Sequence, residues 1–161
     1  MGNMIKVGMA DMNTCAGADA ITTLGLGSCI GVVLYDPVKK VCGMVHVMLP
    51  DSSIIRNNDN PAKFADTGIK NLIDMVCKMG TTKQALVAKM AGGAQMFAFN
   101  TDNDLLKVGQ RNAEACRAVL KANNIKLVAE DCGDRFGRTI EFYPATSELH
   151  VKAIGKPLRI I

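Results

Sequence analysis

The longest apolar run of the chain, Leu24 to Tyr35, is broken by Gly25, Gly27 and Gly31 and closed by Asp36-Pro37, and a second apolar stretch, Val41 to Leu49, follows. Glycines and an Asp-Pro step punctuate a chain too often for a helix, so Ile30 to Tyr35 is predicted as one strand, Asp36-Pro37 as a turn and Val41 to Leu49 as the returning strand. Side chains alternate along a strand, which puts His46 on one face with Cys42, Met44 and Met48, a face that is not turned to solvent.

The remaining elements follow from the same signals. Ile5 to Ala10 is predicted as a short strand, and Ala20 to Leu24 as another leading into the glycine-rich turn before Cys29. Asn60-Pro61 pairs a capping residue with a proline suited to a first helical turn, and Phe64, Ala65, Ile69, Leu72, Ile73, Val76 and Met79 then recur at helical spacing, so a helix is expected to about Lys78, ended by Gly80. Leu86 to Ala91 is predicted as a buried strand running into Gly92-Gly93. Gly109 to Asn123 is predicted as a second helix, with Asn112, Ala113, Cys116, Val119 and Leu120 on one face. Ile125 to Glu130, Thr139 to Tyr143 and Glu148 to Ile154 supply further strands. About eight strands and two helices, with strands clustered rather than alternating strictly with helices, point to a single α+β domain of mixed sheets over residues 1–161.

Composition removes several classes of function. With 161 residues and 48% hydrophobic content the chain can bury a core without staples. Its six cysteines, at 15, 29, 42, 77, 116 and 132, lie too far apart for zinc-site pairs and are read as reduced thiols. No apolar run is long enough to span a bilayer and no leader is apparent, so a cytoplasmic location is expected. The net charge of +4 is spread along the chain, and with no tryptophan and few other aromatic residues there is little to stack bases on, which argues against nucleic acid. Gly25, Gly27 and Gly31 miss the spacing of a dinucleotide fingerprint and lead into a strand where a helix should begin.

Chemistry concentrates around Cys29. A free thiol is mostly protonated at neutral pH and becomes a strong nucleophile when a base takes its proton. His46, on the returning strand, is placed to do so. His150 shares its strand face with Glu148 and Lys152 and is expected to be solvated. Gly25, Gly27 and Ser28 let backbone N–H groups turn toward one point, as a tetrahedral oxyanion requires. Ser28 has the same single base and a much higher pKa, so the thiol is the better nucleophile. An imidazole needs a polar partner on its other nitrogen, and the residues alone do not separate Thr23 from Thr22 for that task. Cys77 and Cys116 lie on apolar helix faces and are read as packing residues.

The strings Thr23-Leu24-Gly25-Leu26-Gly27-Ser28-Cys29-Ile30, Leu34-Tyr35-Asp36-Pro37 and Gly43-Met44-Val45-His46-Val47-Met48-Leu49-Pro50 resemble the CheD family of chemoreceptor glutamine deamidases. Similarity continues through Gly92-Gly93-Ala94-Gln95-Met96-Phe97, Val108-Gly109-Gln110-Arg111-Asn112 and Gly133-Asp134-Arg135-Phe136-Gly137-Arg138-Thr139. The resemblance implies a β-sandwich with flanking helices and a triad of Cys29 as nucleophile, His46 as base and Thr23 as orienting residue, beside the backbone support that the glycine-rich turn offers at Gly27 and Ser28. It implies hydrolysis of receptor glutamine side chains to glutamate. Acyl transfer by Cys29 and His46 runs through a thioester and requires no cofactor, a receptor methyl ester can form the same thioester, and the cysteine spacing argues against a structural metal. The implied partners are chemoreceptor cytoplasmic helices and a CheC-type phosphatase, and a monomer is expected.

Two other functions are consistent with parts of the sequence. The chain could act chiefly as a regulatory partner of that phosphatase, or as a redox-responsive thiol protein, for which the cysteine spacing offers no resolving partner. Gly92-Gly93 and Gly133 to Arg138 are read as turns that line a substrate cleft, with Arg135 or Arg138 available to an acidic receptor helix. Met96, Phe97 and Phe99 are read as an exposed docking surface.

Overall fold

A computed structural model describes residues 2–54, 59–96 and 107–161. In chain order its strands are β1 (Met4–Val7), β2 (Met12–Ala16), β3 (Ala20–Leu26), β4 (Ile30–Asp36), β5 (Val41–Val47), β6 (Val87–Gly92), β7 (Lys126–Cys132), β8 (Arg138–Tyr143), β9 (Glu148–Lys152) and β10 (Arg159–Ile160). The helices are α1 (Ala65–Cys77) and α2 (Val108–Ala122). The strands form two five-stranded sheets, ordered β1-β3-β8-β9-β10 and β2-β5-β4-β6-β7. Both are mixed: β1 runs parallel to β3 and β6 parallel to β7, while the other pairs are antiparallel. The α+β architecture expected from the sequence is therefore present.

The apolar hairpin lies at the centre of the second sheet, where β4 pairs with β5 on one side and with β6 on the other. Every residue of β4 and β5 is buried. The reason is three-layer packing. Ile30, Val32, Leu34, Val41, Val45 and Val47 pack with residues of α1 and α2, including Ile69, Leu72, Cys116 and Leu120. The alternate residues, Cys29, Val33, Tyr35, Cys42 and Met44, pack with Ile21, Leu26, Ile140 and Phe142 of the first sheet. His46 follows the second series by its period of two, so it points between the sheets.

The structure departs from the sequence reading at four places. Two strands had no signal: β2, whose sequence MNTCA is short and half polar, and the two-residue β10. The first helix does not begin at Pro61. Asn60 caps as expected, its side chain accepting from the Ala62 N–H, but the turn it starts is a 3-10 turn over Pro61–Lys63, and Phe64 is extended before α1 begins. Tertiary pairing accounts for the break, because Met48 and Leu49 donate their N–H groups to the Lys63 carbonyl and Ala65 donates to that of Leu49. The strand from Ile5 also stops at Val7, three residues short of Ala10.

Candidate active site

Thr23 and His46 come from different sheets and meet between them. The Thr23 Oγ1 lies 2.8 Å from His46 Nδ1 and 2.8 Å from the Val7 carbonyl, which faces it because β1 and β3 pair in parallel with Val7 opposite Thr23. A carbonyl only accepts and a hydroxyl has one proton, so Thr23 donates to Val7 and must accept from His46 Nδ1–H. The relay fixes the tautomer. It leaves Nε2 as an unprotonated acceptor, buried and without a partner among the described residues. Thr22, which the sequence could not separate from Thr23, donates instead to the Ile140 carbonyl at 2.7 Å.

Cys29 sits one residue before β4 and diagonal to His46. The β4–β5 register sets Gly31 opposite His46, and Cys29, two residues earlier, shares the face of Gly31. Diagonal neighbours of this kind lie within reach of a long side chain, and Gly31 leaves room on this face for Ile140, Leu26 and Thr23, whose side chains crowd against it. Cys29 is 9% exposed, His46 0% and Thr23 1%. The Nε2 makes no hydrogen bond to Cys29 Sγ in this resting arrangement. Such contacts often tighten only when substrate is bound.

The loop carrying the thiol is held at three consecutive carbonyls. Gly27 O accepts from the Ala94 N–H at 2.8 Å and Cys29 O from the Gly93 N–H at 2.9 Å, while Ser28 O accepts from Asn112 Nδ2 at 3.0 Å. The Gly27 N–H donates to Gly25 O at 3.1 Å. Of the backbone donors expected around Gly27 to Cys29, those of Ser28 and Cys29 therefore remain uncommitted among the described residues. Gly92 is needed here because its φ is +121° and a Cβ would stand 2.1 Å from the Cys29 carbonyl oxygen. Gly92-Gly93, read from the sequence as a cleft-lining turn, buttresses the Cys29 loop. Asn112 and the Val7 carbonyl carried no signal as site groups, since each acts across a sequence separation that no local pattern records.

Burial sets the protonation states. It raises the Cys29 thiol above its ordinary pKa and lowers that of His46, so thiol and imidazole both rest neutral.

The other expectations divide. His150 is 19% exposed in its side chain, bonded to Glu148 at 3.1 Å and against the Tyr143 ring. Cys116 is fully buried and Cys77 half-buried. Arg138 is not available to a partner helix: it is 2% exposed and bound to Asp131 and the Gly133 carbonyl, whereas Arg135 is exposed. Met96 is 48% exposed and lies over Gly27, and Phe97 and Phe99 fall outside the described residues. All six cysteines are free, but Cys15 and Cys42, opposite each other on β2 and β5, bring their sulfurs to 3.4 Å. Sequence spacing offered no resolving partner for any cysteine, because the 27-residue separation of Cys15 and Cys42 hid this pair. A cleft of about 280 Å³ opens beside Gly93, lined by Gln95, Gln110 and Arg117, but none of Thr23, Cys29 and His46 lines it. Among the described residues no three of His, Cys, Asp or Glu converge as metal ligands, and no helix is long and apolar enough to cross a membrane.

Comparison with known proteins extends the resemblance. The chain is 62% identical over all 161 residues to a protein of Lachnoclostridium phytofermentans named probable chemoreceptor glutamine deamidase CheD, covering 100% of each. It is 49% identical to the chemoreceptor glutamine deamidase CheD of Halalkalibacterium halodurans over 96% of each chain, and 48% identical to that of Bacillus subtilis over 94% of this chain and 92% of the other. In fold it is similar to a crystal structure of a Neisseria meningitidis protein of the DUF152 family, with a TM-score of 0.50 at 10% identity, covering 81% of this chain and 64% of that one. The profile described as CheD chemotactic sensory transduction matches residues 48–153, which begins beyond Cys29 and His46. The full-length relatives carry the similarity across that earlier segment as well, and this chain belongs to the CheD family.

Proposed function

We propose that this chain is a protein-glutamine deamidase that converts selected glutamine side chains of chemoreceptor cytoplasmic helices to glutamate, with Cys29 as nucleophile, His46 as general base and Thr23 as its orienting residue. The observation that carries the reading is the Val7–Thr23–His46 relay, which presents a buried, unprotonated Nε2 on the face that Cys29 shares. The names of the full-length relatives support the substrate.

In the proposed reaction His46 Nε2 takes the Cys29 proton as the sulfur attacks the glutamine Cδ, and the N–H groups of Ser28 and Cys29 stabilise the oxyanion. The imidazolium then gives its proton to the leaving nitrogen, the C–N bond breaks, and ammonia departs from a thioester. Water, deprotonated by His46, attacks that thioester, and glutamate leaves as the thiol is restored. A glutamate methyl ester enters the same thioester with methanol as leaving group, so methylesterase activity belongs to the proposal. A CheC-type phosphatase as partner rests on the family resemblance, and a cytoplasmic location and a monomeric state rest on the sequence reading of apolar runs and chain size.

The test is the mass of a receptor cytoplasmic fragment after incubation with wild type, Cys29→Ala and His46→Ala, followed by peptide mapping. The expected result is a gain of about 1 Da per modified site, the amide-to-acid change of hydrolysis through an acyl-enzyme, with wild type only. A fragment left unchanged by folded wild-type protein that still binds the phosphatase would sink the enzyme reading in favour of the regulatory-partner one.

A further inference from the structure

The geometry points to Asn112 of α2 as a positioning residue for the oxyanion-binding backbone, an inference that rests on the proposed acyl transfer at Cys29. Its side chain is fully buried, and Nδ2 donates to two carbonyls, those of Ser28 and Met48, each at 3.0 Å. Ser28 precedes the nucleophile and Met48 lies two residues after His46. One amide thus ties the loop of the thiol to the strand of the imidazole.

The tie to Ser28 acts on the next residue. A peptide group is planar and trans, so its C=O and N–H point in opposite directions. Holding the Ser28 carbonyl toward α2 aims the Cys29 N–H away from α2, and that N–H has no other partner among the described residues. The carbonyls on either side, of Gly27 and Cys29, are held by backbone N–H groups of Ala94 and Gly93. Asn112 supplies the one side chain in this set of three. Both acceptors are carbonyls, which fixes the amide orientation with Nδ2 toward them and leaves Oδ1 buried without a partner among the described residues. An apolar residue of similar volume would leave the Ser28 and Met48 carbonyls without this donor, so the amide is kept although its own Oδ1 goes unpaired. The amide's contribution is placement.

Acyl transfer and alkylation of the same thiol separate this role from a structural one. Displacement by iodoacetamide at a tetrahedral carbon develops no oxyanion, whereas deamidation does. The experiment compares wild type with Asn112→Leu and Asn112→Ser, below the lowest melting temperature of the three. It measures kcat and KM for deamidation of a receptor fragment, and the pH profile of Cys29 alkylation by peptide mass mapping. Should the leucine variant not fold, the serine variant, whose hydroxyl stops one bond short of the carbonyls, carries the test.

The expected result is a kcat lowered about 100-fold, as when one oxyanion donor is removed, with KM and the Cys29 alkylation profile unchanged. A kcat close to that of wild type in a folded variant would overturn the inference. So would a parallel loss of deamidation and alkylation, which marks a collapse of the loop. Failure of the underlying reading looks different: wild type itself would leave the fragment unmodified, or Cys29→Ala would modify it equally well.

Discussion

A hydroxyl can hold an imidazole in one tautomer only when its own proton is committed elsewhere, and at Thr23 the Val7 carbonyl takes that proton. The methyl group of threonine has no part in this relay. Thr23→Ser is therefore expected to keep most of the activity, while Thr23→Val, equal in shape but without the hydroxyl, is expected to lower kcat about 10- to 100-fold, the rate equivalent of a hydrogen bond to a charged group. Steady-state kinetics on a receptor fragment distinguishes the two. The neutral resting pair has its own signature. With His46 held below its ordinary pKa of 6.5, the acid limb of kcat/KM is expected to have its midpoint below that value. With Cys29 raised above 9.0, its alkylation by iodoacetamide in the absence of substrate is expected to reach half its maximum only at a still higher pH. A thiolate plateau at neutral pH would contradict the neutral pair. The same shifts make stability pH-dependent: His46 disfavours the folded state as pH falls below 6.5, where the unfolded chain binds a proton that the folded one does not, and Cys29 disfavours it as pH rises past the ordinary thiol range.

At the scale of elements, the site is assembled where strand ends meet turns. β3 delivers Thr23, β5 delivers His46, and the loop between β3 and β4 delivers Cys29, supported from behind by the end of β6. Gly92 shows how tight that support is. Alanine there would carry its Cβ to 2.1 Å from the Cys29 carbonyl oxygen while keeping a φ of +121°. Gly92→Ala is expected to cost about 1–3 kcal/mol for the backbone conformation alone and, by pushing the Cys29 loop away, to abolish deamidation. Urea unfolding and the mass assay measure the two effects separately. The elements themselves were legible wherever burial was one-sided or complete: the β4–β5 hairpin, α1 through its apolar stripe, α2, and β6 to β9. The capping signal at Asn60-Pro61 marked a real start, yet the chain pauses at Phe64 to pair with Leu49 before α1. Local propensity had no access to that competing partner.

On the scale of the whole molecule, two sheets that share a core are clamped at one end by a buried charge. Asp131 of β7, in the second sheet, binds Arg138 of β8 and Arg159 of β10, both in the first. Arg138 has a fully buried side chain, its Nη2 3.0 Å from Asp131, whereas the Arg159 side chain is 63% exposed. Removing the carboxylate strands a desolvated guanidinium. Asp131→Ala is thus expected to lower unfolding free energy by about 3–5 kcal/mol, and Arg159→Ala by about 1 kcal/mol or less. Denaturant melts of the two variants decide this, and equal effects would mean that the clamp is not where the sheets are held.

Sequence alone determined the α+β class, the central hairpin, the buried face of His46 and, through the resemblance of its motifs, which cysteine and histidine to examine. These are carried by neighbours in the chain: periodicity, turn residues and short strings. The tertiary structure alone showed that Thr23 contacts His46 while Thr22 bonds the Ile140 carbonyl, brought Val7, Gly93, Ala94 and Asn112 behind these residues, set Cys15 against Cys42, and withdrew Arg138 from the surface. Each of those depends on which strands pair and in which register, and a register joins residues that the chain holds far apart.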